Sequence, residues 1–190
     1  MKLYPFFVQL LLNVASSHLL SKRPRMWLYR QLGVKMESGV SIGVNCQISR
    51  LHLSNIHLCR NVSINTQCHL EAGAEILIGE ETCLAPGVRI LTTTHSIGGS
   101  GRRTGYSFEC CPVVIGEGCW ICANVLILPG VAIPNGCVVA AGAVVTKSLP
   151  EPNCLYAGVP ARLVRKLSSE NLAQSGDSNV IPSRRQIVLM

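Results

Sequence analysis

Residues 115–150 read IGEGCWICANVLILPGVAIPNGCVVAAGAVVTKSLP, and this stretch decides the fold. A branched aliphatic residue recurs at every sixth position: Ile115, Ile121, Ile127, Ile133, Val139 and Val145. Four positions after each comes a second residue, small everywhere but at the last repeat: Cys119, Val125, Val131, Cys137, Ala143 and Leu149. A helix would spread this pattern around its circumference, and an ordinary strand would show a period of two.

A strict period of six predicts that each hexapeptide forms one short strand and a turn. Three such sides close a triangular coil, and coils stack at the spacing of neighbouring strands, ~4.8 Å. One coil cannot bury its apolar face, but a stack of coils makes a continuous narrow core. The second position of each repeat then lies near a corner, where only small side chains fit.

The same rhythm extends upstream, with two interruptions. It runs through Ile42 and Ile48, slips between residues 50 and 57, and resumes with Leu58, Ile64 and Leu70. After an insertion of two residues it continues through Ile78, Leu84 and Ile90, with Ala74 and Thr82 among the expected inward small residues. We therefore predict three parts: an N-terminal helical segment (1–35), a repeat domain (36–167) and a flexible tail (168–190).

Residues 91–112 break the rhythm. They include a basic, glycine-rich run, Gly98 to Gly105, and are expected to form a flexible loop, where function is often found on a rigid scaffold. After Pro152 the coils end, and Arg162 to Leu167 is predicted to be a short helix.

The repeat region resembles the hexapeptide-repeat acyltransferases, in particular the maltose, galactoside and colanic-acid O-acetyltransferases. The segments that carry the resemblance are Pro112-Val113-Val114-Ile115-Gly116, Trp120-Ile121, Leu128-Pro129-Gly130-Val131, Ala141 to Lys147, Ala157 to Ala161 and Thr93-Thr94-His95. The resemblance implies an all-β, left-handed parallel β-helix. The left hand comes from the family alone, because spacing does not reveal handedness.

Composition narrows the function classes. The chain has 190 residues, 48% of them hydrophobic and 14% charged, which favours one globular domain. Its net charge of +7 suits phosphates, but no basic helix or aromatic-studded basic patch indicates nucleic acid. Cysteines at the small inward positions (Cys46, Cys68, Cys119, Cys137) read as small hydrophobes in a reducing, cytoplasmic setting. The Cys119–Cys122 spacing leaves a zinc or redox pair as the alternative, although no metal is expected.

The first twenty residues are apolar but too few to span a bilayer. We expect an amphipathic helix that packs on the coil stack. Peripheral contact with a membrane is the alternative. A second short helix is expected from Pro24 to Leu32, ending at Gly33.

Two residues are candidates for catalysis. Transfer of an acyl group from a thioester to a hydroxyl needs a base near neutral pKa, and histidine suits this role. The resemblance implies that His95 is that base and that Asn65, thirty residues earlier, contacts the acceptor. Many relatives have aspartate after the histidine, whereas Ser96 stands here, so the group that orients the imidazole is not evident. Cys122 and Pro134 also stand where relatives usually have glycine.

The resemblance implies acetyl-CoA as acyl donor, bound in a groove between subunits of a homotrimer. The matching residues are Trp120, Ala123, Ala141, Thr146 and Lys147, with Arg162 and Arg165 near the phosphates. The expected function is O-acetylation of a sugar hydroxyl in surface polysaccharide synthesis. The alternatives are an acetyltransferase for an amino acid or amino sugar, of the serine acetyltransferase type, and a non-catalytic repeat scaffold. A carbonic anhydrase of the β-helical type is rejected. That enzyme needs three zinc-binding histidines, and only His95 is suitably placed to be one of them.

Overall fold

The computed structural model describes residues 3–49 and 52–168, and the predicted tail lies outside these ranges beyond residue 168. Two helices come first, α1 (Leu3–Ser16) and α2 (Lys22–Gln31), and a 3-10 turn covers Leu53–Asn55. The strands are β1 (Lys35–Met36), β2 (Ser41–Ile42), β3 (Gln47–Ile48), β4 (Ile56–Leu58), β5 (Ser63–Ile64), β6 (His69–Glu71), β7 (Ile76–Ile78), β8 (Cys83–Leu84), β9 (Arg89–Leu91), β10 (Thr93–Ile97), β11 (Thr104–Cys110), β12 (Val113–Ile115), β13 (Trp120–Ile121), β14 (Leu126–Ile127), β15 (Ala132–Ile133), β16 (Val138–Val139), β17 (Val144–Val145), β18 (Cys154–Ala157) and β19 (Arg162–Lys166).

These strands build three sheets that form the sides of a triangular prism. Sheet A has the order β1-β4-β7-β12-β15, sheet B the order β2-β5-β8-β13-β16-β18-β19, and sheet C the order β3-β6-β9-β14-β17. The chain visits A, B and C in turn through about six coils of parallel strands, which confirms the predicted β-helix. We call the corner between sheets B and C the BC edge, and the corner between sheets C and A the CA edge.

The periodic aliphatic residues form the core. On sheet B, for example, Leu84 is the Cα partner of Ile121, and Ile121 is in turn the Cα partner of Val139 in the next coil. All the aliphatic positions predicted from the period are buried, from Ile42 to Val145. Truncation of such a residue to alanine typically costs about 2–5 kcal/mol, so each coil depends on its neighbours.

In most repeats the small position lies directly after a corner residue with a positive φ. Asn45 precedes Cys46, Asn124 precedes Val125 and Gly136 precedes Cys137, with φ values of 57°, 57° and 68°. Glycine and asparagine tolerate this left-handed conformation better than other residues, which explains the repeated Asn/Gly-small pairs.

One predicted small position is wrong. The two-residue insertion places Ile76 rather than Ala74 in the inward position, so Ile76 is buried while Ala74 is only half-buried. Thr82 is buried as expected. The insertion therefore falls within the corner and leaves the stack undisturbed.

The inward cysteines are free thiols that contact backbone carbonyls. Cys46 Sγ donates to Asn65 O at 3.0 Å and Cys119 Sγ donates to Pro134 O at 3.1 Å. Burial raises the pKa of the Cys119 thiol to about 11 and also raises the pKa of Cys122. Within residues 3–49 and 52–168, no three His, Cys, Asp or Glu side chains are grouped so that they could hold a metal ion.

The N-terminal helices pack on the first coil. Leu12 and Ala15 of α1 are buried, and the Asn45 N–H donates to Ser16 O at the end of the helix. The buried Arg25 of α2 donates to Ala15 O at 2.9 Å and to Ser17 O at 3.0 Å, which ties the two helices together. No helix in the described part of the chain is long and apolar enough to cross a membrane. Peripheral membrane contact stays a prediction.

The C-terminal segment differs from its prediction. Arg162–Lys166 is the strand β19, not a helix, and it pairs antiparallel with β18 in the register Ala157↔Arg162. A helix of so few residues is marginal in water, whereas a strand satisfies the open hydrogen-bonding edge of β18.

Residues 91–112 also differ from the predicted loop. Most of them form the antiparallel hairpin β10–β11, with the glycine-rich run at its tip. The residues flanking the tip lack the inward rhythm because the hairpin projects from the prism and has no core of its own.

Candidate active site

The hairpin carries His95 out from the CA edge. His95 lies within β10, opposite Phe108 of β11, and its ring packs on the Phe108 ring with the centroids 4.4 Å apart at a tilt of 43°. The register shifts between His95 and Ile97, which is a bulge of the kind that re-aims a side chain. His95 is exposed, so its imidazole is available to a bound substrate.

The base of the hairpin is fastened to the coil below by Glu71. Its carboxylate accepts hydrogen bonds from Thr92 N and Thr93 N, each at 3.2 Å, and from Thr93 Oγ1 at 2.7 Å. The buried Thr92 hydroxyl donates to Glu71 O at 2.7 Å and accepts from Ala74 N at 3.0 Å. Thr92 and Thr93 are therefore fixed by hydrogen bonds that involve both their main chain and their side chains.

Sequence reasoning missed Glu71. Its position in the repeat could have indicated it. Glu71 directly follows the inward Leu70, and its Cα partner in the next coil is Leu91. Leu91 in turn directly precedes Thr92 and Thr93. A carboxylate beside two threonines is recognisable only once that register is known. Ser96, where relatives have aspartate, pairs its hydroxyl with Ser107 at 2.8 Å across the hairpin. The His95 imidazole therefore packs on the Phe108 ring and not against a carboxylate.

Asn65 lies on the BC edge, directly after β5, and is exposed. Its Oδ1 accepts a hydrogen bond from Thr66 N at 2.8 Å, a local arrangement that asparagine often adopts at turns. This bond orients the amide. In the described part of the chain, Nδ2 has no hydrogen-bond partner, so the side chain presents a donor to any ligand at this edge.

Two of the predicted donor-binding residues lie on the same BC edge. Ala123 and Ala141 occupy adjacent coils, where Gly142 N donates to Ala123 O at 2.9 Å. Ala141 is exposed, and no heavy atom lies within 4 Å of where a Cβ on Gly142 would stand. The backbone here is open to close approach by an extended ligand.

Three further residues lie on sheet B near this edge. Trp120 faces outward from β13 with 37% of its surface exposed. Arg162 and Arg165 are exposed on β19, the last strand of the sheet. The Arg162 guanidinium donates a hydrogen bond to Ala161 O at 2.9 Å. These cations continue the line of Ala123 and Ala141 toward the C-terminal end of the prism.

Thr146 and Lys147 lie elsewhere. They follow β17 and are exposed on the CA edge, the edge from which the His95 hairpin leaves. Six of the nine predicted site residues thus form two groups on opposite edges of sheet C: Asn65, Ala123 and Ala141 on one, and His95, Thr146 and Lys147 on the other. The width of sheet C separates the two groups within one chain.

Comparison with known proteins agrees with the architecture. The family model described as bacterial transferase hexapeptide (six repeats) matches residues 112–147. The galactoside O-acetyltransferase of Escherichia coli K12 is 38% identical over 120 residues, which are 62% of this chain and 57% of that protein. The chain therefore matches somewhat more than half the length of this curated relative.

Two solved structures extend over more of the chain. The maltose O-acetyltransferase from Clostridium difficile 630 superposes with a TM-score of 0.75 at 31% identity, covering 86% of both chains. A galactoside acetyltransferase in complex with coenzyme A gives a TM-score of 0.76 at 28% identity, covering 88% of this chain and 84% of that one. On the combined sequence match, coil architecture and coverage, this chain belongs to the hexapeptide-repeat acetyltransferase family.

Proposed function

We propose that this protein is an acetyltransferase that moves an acetyl group from acetyl-CoA to a hydroxyl of a sugar or glycan, with His95 as general base. The observation that carries the proposal is the placement of His95: exposed, backed by Phe108, and held on a hairpin whose base is fastened by Glu71. A solvated surface histidine would need none of these supports. The relatives named for galactoside and maltose point to a sugar acceptor.

The chemistry follows from the groups present. His95 takes the proton of the acceptor hydroxyl while that oxygen bonds to the thioester carbonyl carbon. The carbonyl electron pair moves to oxygen, and an amide donor such as Asn65 Nδ2 stabilises the developing negative charge. When the carbonyl re-forms, the carbon–sulfur bond breaks, and the protonated imidazole returns its proton to the departing thiolate.

The acyl donor fits the BC edge. Ala123 and Ala141 have side chains small enough for an extended pantetheine arm to reach the backbone, and Trp120 offers an apolar wall beside them. Arg162 and Arg165 lie beyond, where they would pair with the coenzyme phosphates. A galactoside acetyltransferase of similar fold has been solved with coenzyme A bound.

The separation of the two residue groups supports a trimer. Because the donor-binding alanines and His95 lie on opposite edges of sheet C, one chain does not place the base beside the thioester. A neighbouring copy that brings its CA edge against the BC edge of the first would complete the site, including Lys147. Three such contacts close a ring. A role in surface polysaccharide synthesis stays a prediction.

The test is thiol release from acetyl-CoA over a panel of sugars, for the wild type, His95→Ala and the control His18→Ala. His18 is an exposed histidine between the two helices. We expect His95→Ala to lose about 10²–10⁴-fold in kcat with unchanged melting temperature, and His18→Ala to match the wild type. Equal turnover of the wild type and His95→Ala, or no binding of acetyl-CoA by the wild type in calorimetry, would overturn the proposal.

A further inference from the structure

The N-terminal end of the prism carries most of the net positive charge of the chain. Residues 1–36 contain six of the 17 lysines and arginines and none of the ten aspartates and glutamates. In the rest of the chain the basic and acidic residues nearly balance. The end of the prism that the two helices cover therefore attracts anionic partners.

Helix α1 is apolar on two sides, and within residues 3–49 and 52–168 only one of them is covered. Leu12 and Ala15 pack on the first coil and are buried. Phe7, Leu10 and Leu11, at positions i, i+3 and i+4, are exposed on another side. We call these three residues the outer α1 stripe. A helix that is apolar over so much of its circumference is normally buried, so the stripe indicates a surface that takes an apolar partner.

The outer α1 stripe is turned away from sheet C. The polar residues Gln9, Asn13 and Ser16 of α1 line a pocket beside that sheet. Gln47 and His69, which face outward from sheet C, line the same pocket. At about 100° per residue, the centre of the stripe lies roughly 145° around the helix from the three polar residues. The proposed trimer turns sheet C toward the threefold axis, so the stripe does not face the axis.

The exposed side of α2 supplies cations and an aromatic ring. Arg23, Trp27 and Arg30 follow one face of the helix at positions i, i+4 and i+7, and Trp27 is 61% exposed. Lys22, Arg23 and Arg30 border a hollow beside Gly39, at the corner between sheets A and B. This corner lies opposite sheet C, so the cations also point away from the threefold axis.

We propose that α1 and α2 dock the protein on a bilayer that contains anionic phospholipid. The outer α1 stripe, Leu19 and Trp27 enter the headgroup region, where amphipathic aromatic rings are favoured. Lys22, Arg23 and Arg30 contact the lipid phosphates, and each cation adds to the attraction. This inference goes beyond the proposed function and does not depend on acetyl transfer.

The charge of this surface favours lipid over the other occupants. A second copy of the chain would set one cationic surface against another, and like charges repel. A neutral apolar partner would leave the cations without counter-charges. A bilayer with anionic lipid supplies an apolar interior and phosphates together. In the proposed trimer, threefold symmetry places three such surfaces on one side of the assembly, so that weak single contacts reinforce one another.

Flotation with lipid vesicles tests the contribution of charge. The wild type is compared with Lys22→Gln/Arg23→Gln and with the control Arg102→Gln/Arg103→Gln, which removes two cations from the hairpin. Lys22 and Arg23 are exposed in the first turn of α2, where cations oppose the helix dipole, so their replacement should not destabilise the helix.

We expect the wild type to bind vesicles with about 30% phosphatidylglycerol at least tenfold more tightly than pure phosphatidylcholine. Raising the salt from about 0.1 M to about 1 M should weaken this binding at least fivefold. Lys22→Gln/Arg23→Gln should lower the affinity for the anionic vesicles at least about tenfold, whereas the hairpin control should change it less than about twofold.

Two further measurements test the apolar contribution. Leu10→Gln/Leu11→Gln should lower the affinity for anionic vesicles at least about tenfold and leave the melting temperature unchanged, because both leucines are exposed. The emission of Trp27 is measured in Trp120→Phe protein, which removes the second tryptophan of the chain. It should shift to shorter wavelength with anionic vesicles and stay unchanged with neutral ones.

Four outcomes would overturn the inference. The first is no binding of the wild type to anionic vesicles, and the second is equal binding to anionic and neutral vesicles. The third is equal loss of affinity in the two charge variants. The fourth is a changed sedimentation coefficient of Leu10→Gln/Leu11→Gln without lipid, which would make the outer α1 stripe a contact between copies. Vesicle binding needs neither acetyl-CoA nor turnover, so failure of the acetyl-transfer proposal would leave this test unaffected.

Discussion

The Thr93 hydroxyl donates a 2.7 Å hydrogen bond to the Glu71 carboxylate, and this bond joins the base of the hairpin to the coil beneath it. His95 stands two residues further along the same strand. The position of the imidazole therefore depends on a side chain that lies 24 residues earlier in the sequence and one coil away.

Replacing Glu71 with alanine should reduce turnover without weakening binding of the acyl donor. Loss of three accepted hydrogen bonds frees the base of the hairpin, and displacement of a base by about 1 Å can cost 10²-fold. We expect kcat to fall at least tenfold and the KM for acetyl-CoA to stay within about twofold, measured by thiol release.

Glu75→Ala is the matched control, because the exposed Glu75 carboxylate has no ion-pair partner among residues 3–49 and 52–168 except His57, at 3.7 Å. An unchanged kcat in Glu71→Ala would show that the hairpin holds its place without this anchor.

Ala141→Leu should block the acyl donor. Ala141 is exposed on the BC edge, so a larger side chain can be accommodated in the folded protein but would fill the path of the pantetheine arm. We expect the KM for acetyl-CoA to rise at least tenfold with no change in melting temperature. Ala132→Leu changes another exposed alanine, on sheet A, and should leave the KM unchanged. Similar KM values for acetyl-CoA in the two variants would contradict the proposal that the acyl donor binds at the BC edge.

In the proposed trimer, Ile97→Glu should separate the subunits. The side chains of Ile97, Tyr106 and Phe108 are 89%, 85% and 69% exposed on the isolated chain, an apolar cluster of the kind that marks an interaction site. We expect sedimentation velocity to shift from a trimer to a monomer and activity to fall in parallel. Leu19→Glu, a control at 84% exposure between the helices, should sediment as the wild type does. A trimer that survives Ile97→Glu would argue against contact through the hairpin.

Thr82→Val should destabilise the fold, although valine is nearly the same size. The fully buried Thr82 hydroxyl donates to Gly116 O at 2.7 Å and accepts from Cys119 N at 3.0 Å, so it bridges two groups of the next coil. Leaving buried polar groups unpaired costs about 1–3 kcal/mol. Urea unfolding should show that loss for Thr82→Val, whereas Thr82→Ser keeps the hydroxyl and should lose less. The reverse order would mean that the lost methyl group matters more than the hydroxyl.

The free energy of unfolding should fall above pH 9. Burial raises the pKa of Cys119 to about 11, above its ordinary value of 9.0. As pH rises, the unfolded chain loses this proton first, so between about pH 9 and 11 the folded state binds more protons and stability decreases. Urea titrations at pH 8 and pH 10.5 measure the slope. Cys119→Val, a residue that fills the same position in other coils, should make the slope shallower, and an identical slope would contradict the assignment.

The period of six is sufficient by itself to predict the β-helical architecture. It works because each coil repeats the same geometric demands: an aliphatic residue pointing inward, a small residue after the corner, and a glycine or asparagine that tolerates positive φ. Ile121 and Cys119 satisfy these demands locally, so their burial could be predicted from spacing alone. The inserted residues before Ile76 misled the prediction of the small position because an insertion moves the corner, and spacing does not say by how much.

Only the tertiary structure decides the contacts between residues that belong to different coils. The helix predicted at Arg162 became a strand because β18 offered an open edge, which no local pattern reveals. Glu71 meets Thr93 because stacking pairs Glu71 with Leu91, which brings Thr93, two residues further on, within reach of the carboxylate. The division of Asn65 and His95 between opposite edges of sheet C depends likewise on the number of residues in each intervening corner. Because the core repeats, its residues can be predicted from the sequence. The candidate site is formed by corners and by the hairpin that interrupt the repeat, and the positions of these segments depend on how the coils stack.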